Sequence, residues 1–140
     1  MSHYLSIFKN SKIVSVVRYG DAGPGPKGTV MTIAFQLDGQ EFIALNVGPT
    51  FKFNEAISLA VDCKTQHEVD DLWEKLADGG HQGQCGWLKD KFGLSWQVVP
   101  SALREMLQNK NSEKSKRVIE AIMRMTKLDI SELQRAYESA

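Results

Sequence analysis

From Pro100 to the end of this chain the spacing of apolar residues is helical throughout, and that pattern limits the folds open to it. Before Pro100, short segments rich in β-branched and aromatic residues alternate with glycine-containing loops, which predicts strands joined by turns. Beyond Pro100 the apolar residues recur at helical spacing. The sequence therefore predicts an α+β protein, with a single β-rich domain over residues 1–100 and a C-terminal helical extension over residues 101–140.

The first half of the β-rich domain is predicted to contain one helix and three strands. Residues 4–11 are typical of the end of a helix. Asp38-Gly39 tolerates the positive φ angles of a tight hairpin between two of the strands. The Gly-Pro-Gly-Pro loop over residues 20–28 leads into a strand and lacks the spacing of a phosphate-binding loop, so we interpret it as a connector or a mobile lid. The predicted strands cover residues 13–19, 29–37 and 41–47.

The second half begins with a predicted strand over residues 56–62 and continues with the clearest helix of the sequence. Thr65 and Glu68 have the spacing of a capping box, in which each side chain satisfies a free backbone donor at the helix start. Gly79-Gly80 supplies a left-handed exit from the helix. The apolar stripe of this helix comprises Val69, Leu72, Trp73 and Leu76. Further strands are predicted over residues 85–90 and 95–99.

The two halves look like one structural unit used twice, with modules of about residues 1–49 and 50–100. The second module has a strand before its helix, whereas the first starts with a helix and no preceding strand. The first module is therefore expected to lack its opening strand. A sheet edge left by such a gap would tend to pair with another chain, which favours dimerisation.

The extension after Pro100 is predicted to be helical. Ser101 is expected to cap a short helix that runs through Leu107, and the polar residues 108–112 are expected to form a loop. Asp129 and Glu132 have the spacing of a capping pair for the last helix. The sequence leaves open whether these helices cover their own subunit or reach across to a partner. The apolar side of the middle helix comprises Val118, Ile122 and Met125.

Composition argues against several classes of function. Seventeen basic residues balance 17 acidic ones, so no global positive field would hold a phosphate backbone, and no nucleic-acid partner is expected. No apolar run approaches the ~20 residues needed to span a bilayer, and the start of the chain has no signal-peptide pattern. We therefore expect a cytoplasmic protein without a membrane partner. Cys63 and Cys85 lack Cys-x-x-Cys spacing and are predicted to be reduced, buried thiols.

Several segments carry a family resemblance. The run FKFNEAISLAVDCKTQHEVDDLWEKL, which continues to Pro100, is similar to the PhnB-like branch of the vicinal oxygen chelate superfamily. SIFKNSKI, YG-x-x-G-P-G-P-K-G and LDGQEFIALNVGP also resemble that branch. The resemblance implies paired β-α-β-β-β modules of the glyoxalase and bleomycin-resistance type. It further implies a concave sheet around a small-molecule cavity, and a homodimer.

The resemblance also bears on metal binding. Metal-using relatives hold a divalent ion on His and Glu ligands from the first and last strands of each module. On this chain, the first such position falls in the missing strand and the others near Ala44, Ala56 and Gln97. Alanine has no donor atom, and a neutral amide brings no charge to offset dehydration of the ion. With His67 and His81 expected to be solvated, we predict no metal and no cofactor.

Six residues are predicted to lie on the strand face that carries the cavity of this superfamily, if the register is as inferred. The alternative is that Trp87 is a packing aromatic and that the polar groups satisfy one another. Cys85 would be a nucleophile only if its pKa were lowered, and an inert thiol is favoured. The candidate substrate-binding residues are Asn46, Ser58, Cys85, Trp87, Ser95 and Gln97.

Three functions follow from these observations. The favoured one is a PhnB-like protein that binds a small molecule without the usual metal ligands. The first alternative is an enzyme of the same fold, either a lyase, a dioxygenase or the methyltransferase named in the label of this branch. That label is disfavoured because no glycine-rich strand-to-helix turn is present to hold a methyl donor. The second alternative is a non-catalytic dimerisation module.

Overall fold

The computed structural model describes residues 1–108 and 112–139. Its internal contacts divide the chain into two compact units, Met1–Lys52 and Phe53–Ala140. Each unit contains one β-sheet, and the second also contains the C-terminal helices. The prediction of an α+β protein with C-terminal helices is confirmed.

The first unit is one short helix followed by an antiparallel sheet with strand order β1-β2-β3. The predicted hairpin is confirmed: Asp38 and Gly39 have φ angles of 47° and 81°, which is the left-handed region that a tight turn needs. No strand precedes the helix among the described residues. The elements are α1 (Ser2–Ile7), β1 (Lys12–Arg18), β2 (Val30–Leu37) and β3 (Gln40–Leu45).

The loop between β1 and β2 packs closely on a buried tyrosine. The Tyr19 hydroxyl donates to the backbone oxygen of Asn46 at 2.6 Å. A Cβ at Gly25 would lie 2.2 Å from the Tyr19 ring, so the loop approaches the ring more closely than any side chain allows. The sequence left open whether this loop is a connector or a mobile lid. Its close packing on the Tyr19 ring supports the connector.

The second unit has a mixed sheet with strand order β4-β7-β6-β5, in which β4 and β7 are parallel. The two-residue strand β5 was not among the predicted elements. The predicted strand over residues 85–90 begins only at Trp87, because Cys85 and Gly86 have φ angles of 60° and 82° and form a turn. The elements are β4 (Ser58–Cys63), α2 (Gln66–Ala77), β5 (His81–Gln82), β6 (Trp87–Lys89) and β7 (Ser95–Pro100).

Helix α2 begins with the predicted cap. The Glu68 N–H donates to Thr65 Oγ1 at 3.2 Å, and Glu68 Oε2 accepts from the Lys64 N–H at 2.6 Å. In the usual capping box the Glu side chain accepts from the N–H of the N-cap residue, here Thr65. In this helix it accepts instead from the N–H of Lys64, the residue before the N-cap. Gly79, with φ 72°, provides the predicted exit. The helix packs against the sheet through its buried residues Val69, Trp73 and Leu76.

The C-terminal helices form their own core, and they dock on their own unit. The backbone N–H groups of Cys85 and Gly86 donate to the oxygens of Met125 and Thr126, each at 2.8 Å. The alternative of docking on the same chain is therefore the one found. The helices are α3 (Ser101–Gln108), α4 (Ser112–Ile122) and α5 (Ile130–Glu138), and their core comprises Leu103, Met106, Val118, Met125, Leu128 and Leu133.

The predicted cap at Ser101 is wrong, whereas the one at Asp129 is confirmed. Ser101 is the first helical residue of α3, and its hydroxyl donates to Asp62 Oδ2 at 3.0 Å, so it ties the helix to the end of β4. Asp129 is the N-cap of α5 as predicted, because its carboxylate accepts from the Glu132 N–H at 2.9 Å. Within the predicted loop 108–112, residues 109–111 lie outside the described residues.

Candidate functional site

The sheet of the second unit has one apolar and one polar face. Leu88, Trp96 and Val98 alternate with the polar positions and are at most 3% exposed. We assign α2 to that apolar face, since the buried residues of the helix need an apolar partner. The opposite face carries Ser58, Trp87, Ser95 and Gln97, which the strand register places side by side.

Gln97 lies at the centre of the polar face. Its register partners are Ala60 on β4 and Trp87 on β6. The Gln97 Nε2 group donates to Ser58 Oγ at 2.9 Å, and both residues are half-buried. This bond fixes the orientation of the amide and leaves the Gln97 side chain beside the Trp87 indole. The arrangement offers polar groups next to an aromatic surface, which is typical of a small-molecule site.

Next to this pair, the polar face becomes charged. Ser95 is buried and pairs in register with Ser58 on one side and Lys89 on the other. Lys89 Nζ donates to Glu55 Oε1, and this hydrogen bond from the lysine is the main reason that the Glu55 pKa lies below its usual value. Lys89 and Glu55 were not among the predicted site residues. Lys89 could have been predicted, because it lies two residues after Trp87 in β6 and therefore on the same face of the strand. Glu55 lies before β4, where no strand alternation assigns it to a face.

Cys85 lies apart from the other candidates. It occupies the turn before β6 and is only half-buried, so the prediction of a buried thiol on a strand is wrong for Cys85. Its Sγ is 3.8 Å from Met123 Sδ in the C-terminal extension. The other thiol, Cys63, is fully buried. Burial, together with the negative charges of Glu68 and Asp62, raises the pKa of Cys63 to about 12. Cys63 is therefore a protonated thiol without nucleophilic character at neutral pH.

Asn46 belongs to the first unit. Its Nδ2 donates to the Val30 oxygen at 3.2 Å, and its own backbone oxygen accepts the Tyr19 hydroxyl. It lines a cleft of about 200 Å³ between the Gly-Pro loop and the end of β3. The cleft also has Tyr19, Pro24, Pro26 and Thr29 in its wall.

The described residues do not fit the metal chemistry of the superfamily. Ala44 and Ala56 supply no donor atom, and Gln97 offers only a neutral amide oxygen, which brings no charge to offset dehydration of an ion. Nowhere in residues 1–108 and 112–139 do three His, Cys, Asp or Glu side chains come together as a possible metal site. His67 and His81 are both exposed, as expected. We derive no chemical step through a metal ion.

A methyl donor also lacks an evident cradle. In the second unit, β4 passes into α2 through Lys64 and Thr65, and β7 passes directly into α3. Neither connection contains glycine, so neither offers the close backbone approach that a glycine-rich turn provides. At the start of α2, the Glu68 N–H donates to Thr65 Oγ1 and the Val69 N–H donates to the Thr65 backbone oxygen.

The chain is an α+β protein with a fold like that of a solved PhnB protein. Residues 1–99 match the family model of 3-demethylubiquinone-9 3-methyltransferase. The chain therefore belongs to that PhnB-like family. No curated protein matches it.

Two of the solved structures that are similar to this chain show the range of the likeness. The first is a PhnB protein from Bacillus cereus, provisionally described as a 3-demethylubiquinone-9 3-methyltransferase, which is 41% identical. The match covers 72% of this chain and 88% of that one, with a TM-score of 0.65. The second is the Pseudomonas aeruginosa protein PA1353, which is 21% identical over 71% of this chain and 84% of that one, with a TM-score of 0.58. This second likeness concerns the fold alone.

In the part of the chain that the structure describes, no helix is long and apolar enough to span a membrane.

Proposed function

We propose that this protein binds a small organic molecule on the polar face of the second sheet, without a divalent ion. The observation that carries the proposal is the Gln97–Ser58 hydrogen bond of 2.9 Å. It presents an oriented amide and a hydroxyl beside Trp87 on the face that α2 leaves uncovered. A polar pair fixed next to an aromatic ring provides both orientation and apolar contact for a ligand.

The chemistry of the face indicates the class of ligand. The Trp87 ring offers an apolar surface for a planar molecule, and the Gln97 carbonyl oxygen can accept a hydrogen bond from it. Lys89 already donates to Glu55, so the charges at this end of the face offset each other. A planar, neutral or weakly charged molecule with a hydroxyl or amine therefore fits this face better than a strong anion.

The wider arrangement is part of the same proposal. The second unit has the element order β-α-β-β-β, and the first has α-β-β-β. This repetition and the 41% identity to a PhnB protein support paired modules of the glyoxalase type. A concave cavity, a homodimer and a cytoplasmic location are proposed together with that fold.

Ligand binding to Gln97→Ala and Ser58→Ala tests the proposal. Thermal shift with phenol, catechol and aniline should identify a stabilising compound, because a ligand that binds only the folded state raises its melting temperature. Isothermal titration should then show about tenfold weaker binding for Gln97→Ala, the cost of about one hydrogen bond. Gln134→Ala, an exposed amide on α5, is the matched control and should bind normally.

Two further measurements can contradict the proposal. Stoichiometric zinc, nickel, manganese or iron in the purified protein would overturn the metal-free part. S-adenosylmethionine is included in the same thermal screen. If it stabilised the protein and the aromatic compounds did not, the methyltransferase alternative would take the place of the proposal that the protein binds planar molecules. Binding that Gln97→Ala leaves unchanged would place the site elsewhere.

A further inference from the structure

The two edges of the first sheet differ in how well they are protected against pairing. Strand β1 has register shifts between Ile13 and Ser15 and between Val17 and Arg18. Such irregularities twist an edge away from a partner, and Lys12 and Arg18 add charge at its ends. Strand β3 has an unbroken register against β2 from Gln40 to Leu45. The sheet thus has one disrupted edge and one regular edge.

The regular edge of β3 presents alternate backbone groups outward. The Asn46 N–H, just beyond the strand, donates to the Met31 oxygen at 2.8 Å. Residues that bond toward β2 alternate along an antiparallel strand, so Glu41, Ile43 and Leu45 direct their N–H and C=O groups away from the sheet. These groups form a template for one more strand.

The side chains of this edge are also unprotected. Ile43 is 76% exposed and Leu45 is 60% exposed, and they project from the same face of the strand. Strand β3 contains no lysine and no proline, the residues that usually prevent edge pairing, and Glu41 is its one charge. In the second sheet, the strand after the corresponding turn, β7, is paired on both sides, by β6 and by β4.

We propose that β3 pairs with β3 of a second copy of this chain, antiparallel, about a two-fold axis at Ile43. In this register Ile43 faces its own counterpart, and Glu41 faces Leu45 of the other copy. Every outward N–H and C=O of these residues then finds a partner. No like charges meet across the axis, and the two Ile43 side chains lie side by side in an apolar pair.

The occupant is a second copy because the edge is complementary to itself. A two-fold contact of one strand with itself closes after two chains, whereas β3 against β1 would continue into open assemblies. The pairing joins the two first sheets into one continuous sheet. This inference specifies the homodimer proposed above, and it does not depend on ligand binding at Gln97.

Sedimentation equilibrium of Ile43→Lys tests the interface. Two lysines opposed at the axis should raise the dimer dissociation constant about tenfold or more. Val14→Lys, which adds the same charge to the exposed opposite edge, is the matched control and should dimerise as the wild type does. An equimolar mixture of Ile43→Lys and Ile43→Glu should dimerise more tightly than either variant alone, and circular dichroism checks that each variant is folded.

Each result decides between alternatives. A wild-type protein that is monomeric at all concentrations overturns both the homodimer and this interface. A dimer that Ile43→Lys leaves intact overturns the interface alone and keeps the homodimer. Failure of the charge-swapped mixture to associate, while both variants are folded, overturns the two-fold register.

Cross-linking provides an independent readout. Ile43→Cys in a Cys85→Ser background should form an intermolecular disulfide on mild oxidation, because directly opposed residues of a hydrogen-bonded pair lie about 5.5 Å apart at Cα. The fully buried Cys63 does not interfere. Ile13→Cys in the same background should stay unlinked at matched concentration. Equal cross-linking at both edges would show random collision and contradict the proposal.

Discussion

The two sheets of this protein differ in what covers them. In the second unit, α2 packs on one face, and the C-terminal helices add a separate apolar core. In the first unit, β1 is exposed along its whole length, and β3 is exposed at all positions except Phe42. The difference indicates that folding stability is concentrated in the second unit, while the first offers surface for other contacts. The buried apolar residues of the first unit, among those described, are Ile7, Tyr19, Phe35 and Leu37.

The largest effect expected from this comparison concerns the core of α2. Leu76→Ala removes a fully buried side chain and should lower the free energy of unfolding by about 3 kcal/mol, since the vacated space cannot close fully. Val16→Ala, on exposed β1, should cost less than about 1 kcal/mol. Urea unfolding followed by far-ultraviolet circular dichroism measures both. Equal losses would contradict the comparison.

The next effect is local to the first unit. Gly25→Ala places a methyl group 2.2 Å from the Tyr19 ring and should destabilise the loop by about 2 kcal/mol, because the buried ring must shift. Hydrogen exchange at the Gly28 amide, which donates to the Tyr19 oxygen, reports this opening. Gly20→Ala meets nothing within 4 Å and is the control. If the Gly28 amide exchanges at the same rate in both variants, the packing of the loop on Tyr19 does not stabilise the loop.

A smaller effect concerns the attachment of the C-terminal helices. Gln66 donates to the Leu128 oxygen at 3.1 Å and accepts from the Ile130 N–H at 2.8 Å. Gln66→Ala removes both bonds, together with the bond from Gln66 Nε2 to Asp70 Oδ1, and should cost about 1–2 kcal/mol. Exchange of the Leu133 amide should become faster, while Gln134→Ala, which removes only a bond to exposed Glu138, should leave it unchanged. Unchanged protection in Gln66→Ala would mean that apolar packing alone holds the helices.

The smallest effect is an acid dependence of the same attachment. Hydrogen bonds from Lys127 and Gln66 hold the Asp70 pKa below its ordinary value of 3.8. A lowered folded-state pKa adds stability that is complete at neutral pH and is lost as the pH falls below about 3.8 through the folded pKa. Because Asp70 is solvent-exposed, the contribution is about 0.5 kcal/mol or less.

Comparing wild type with Asp70→Asn measures this contribution. The difference in unfolding free energy between the two should be present at pH 7 and should vanish under strongly acidic conditions. A difference that grows on acidification would have the wrong sign for a lowered carboxyl pKa.

Local signals explain the parts of the fold that the sequence predicted. Asp38-Gly39 defined the hairpin, and Thr65 with Glu68 defined the start of α2, because both patterns depend on neighbouring residues. The two-residue strand β5 was missed, since two residues carry no periodicity. The turn at Cys85 was also missed, because a positive φ at a non-glycine residue there accompanies bonds to the distant Met125 segment.

The candidate site divides in the same way. Strand alternation, together with the register inferred from the family resemblance, predicted Ser58 and Gln97 on one face, and the parallel register of β4 and β7 brings their side chains to hydrogen-bond distance. The role of these residues in binding stays a prediction. Glu55 was not found, because its approach to Lys89 depends on the path of the chain before β4 rather than on a pattern.

The bonds from Cys85 and Gly86 to the C-terminal segment have a practical consequence. The family match ends at residue 99, and a recombinant version of the protein could be cut at that boundary. Trimming there would remove the acceptors Met125 and Thr126 and the Leu128 side chain that lies against Gly86. In a shortened protein, the Cys85 and Gly86 N–H groups would lose their acceptors and would be exposed to water just before β6. Because Trp87 follows directly, ligand binding by the shortened protein would no longer represent that of the full chain.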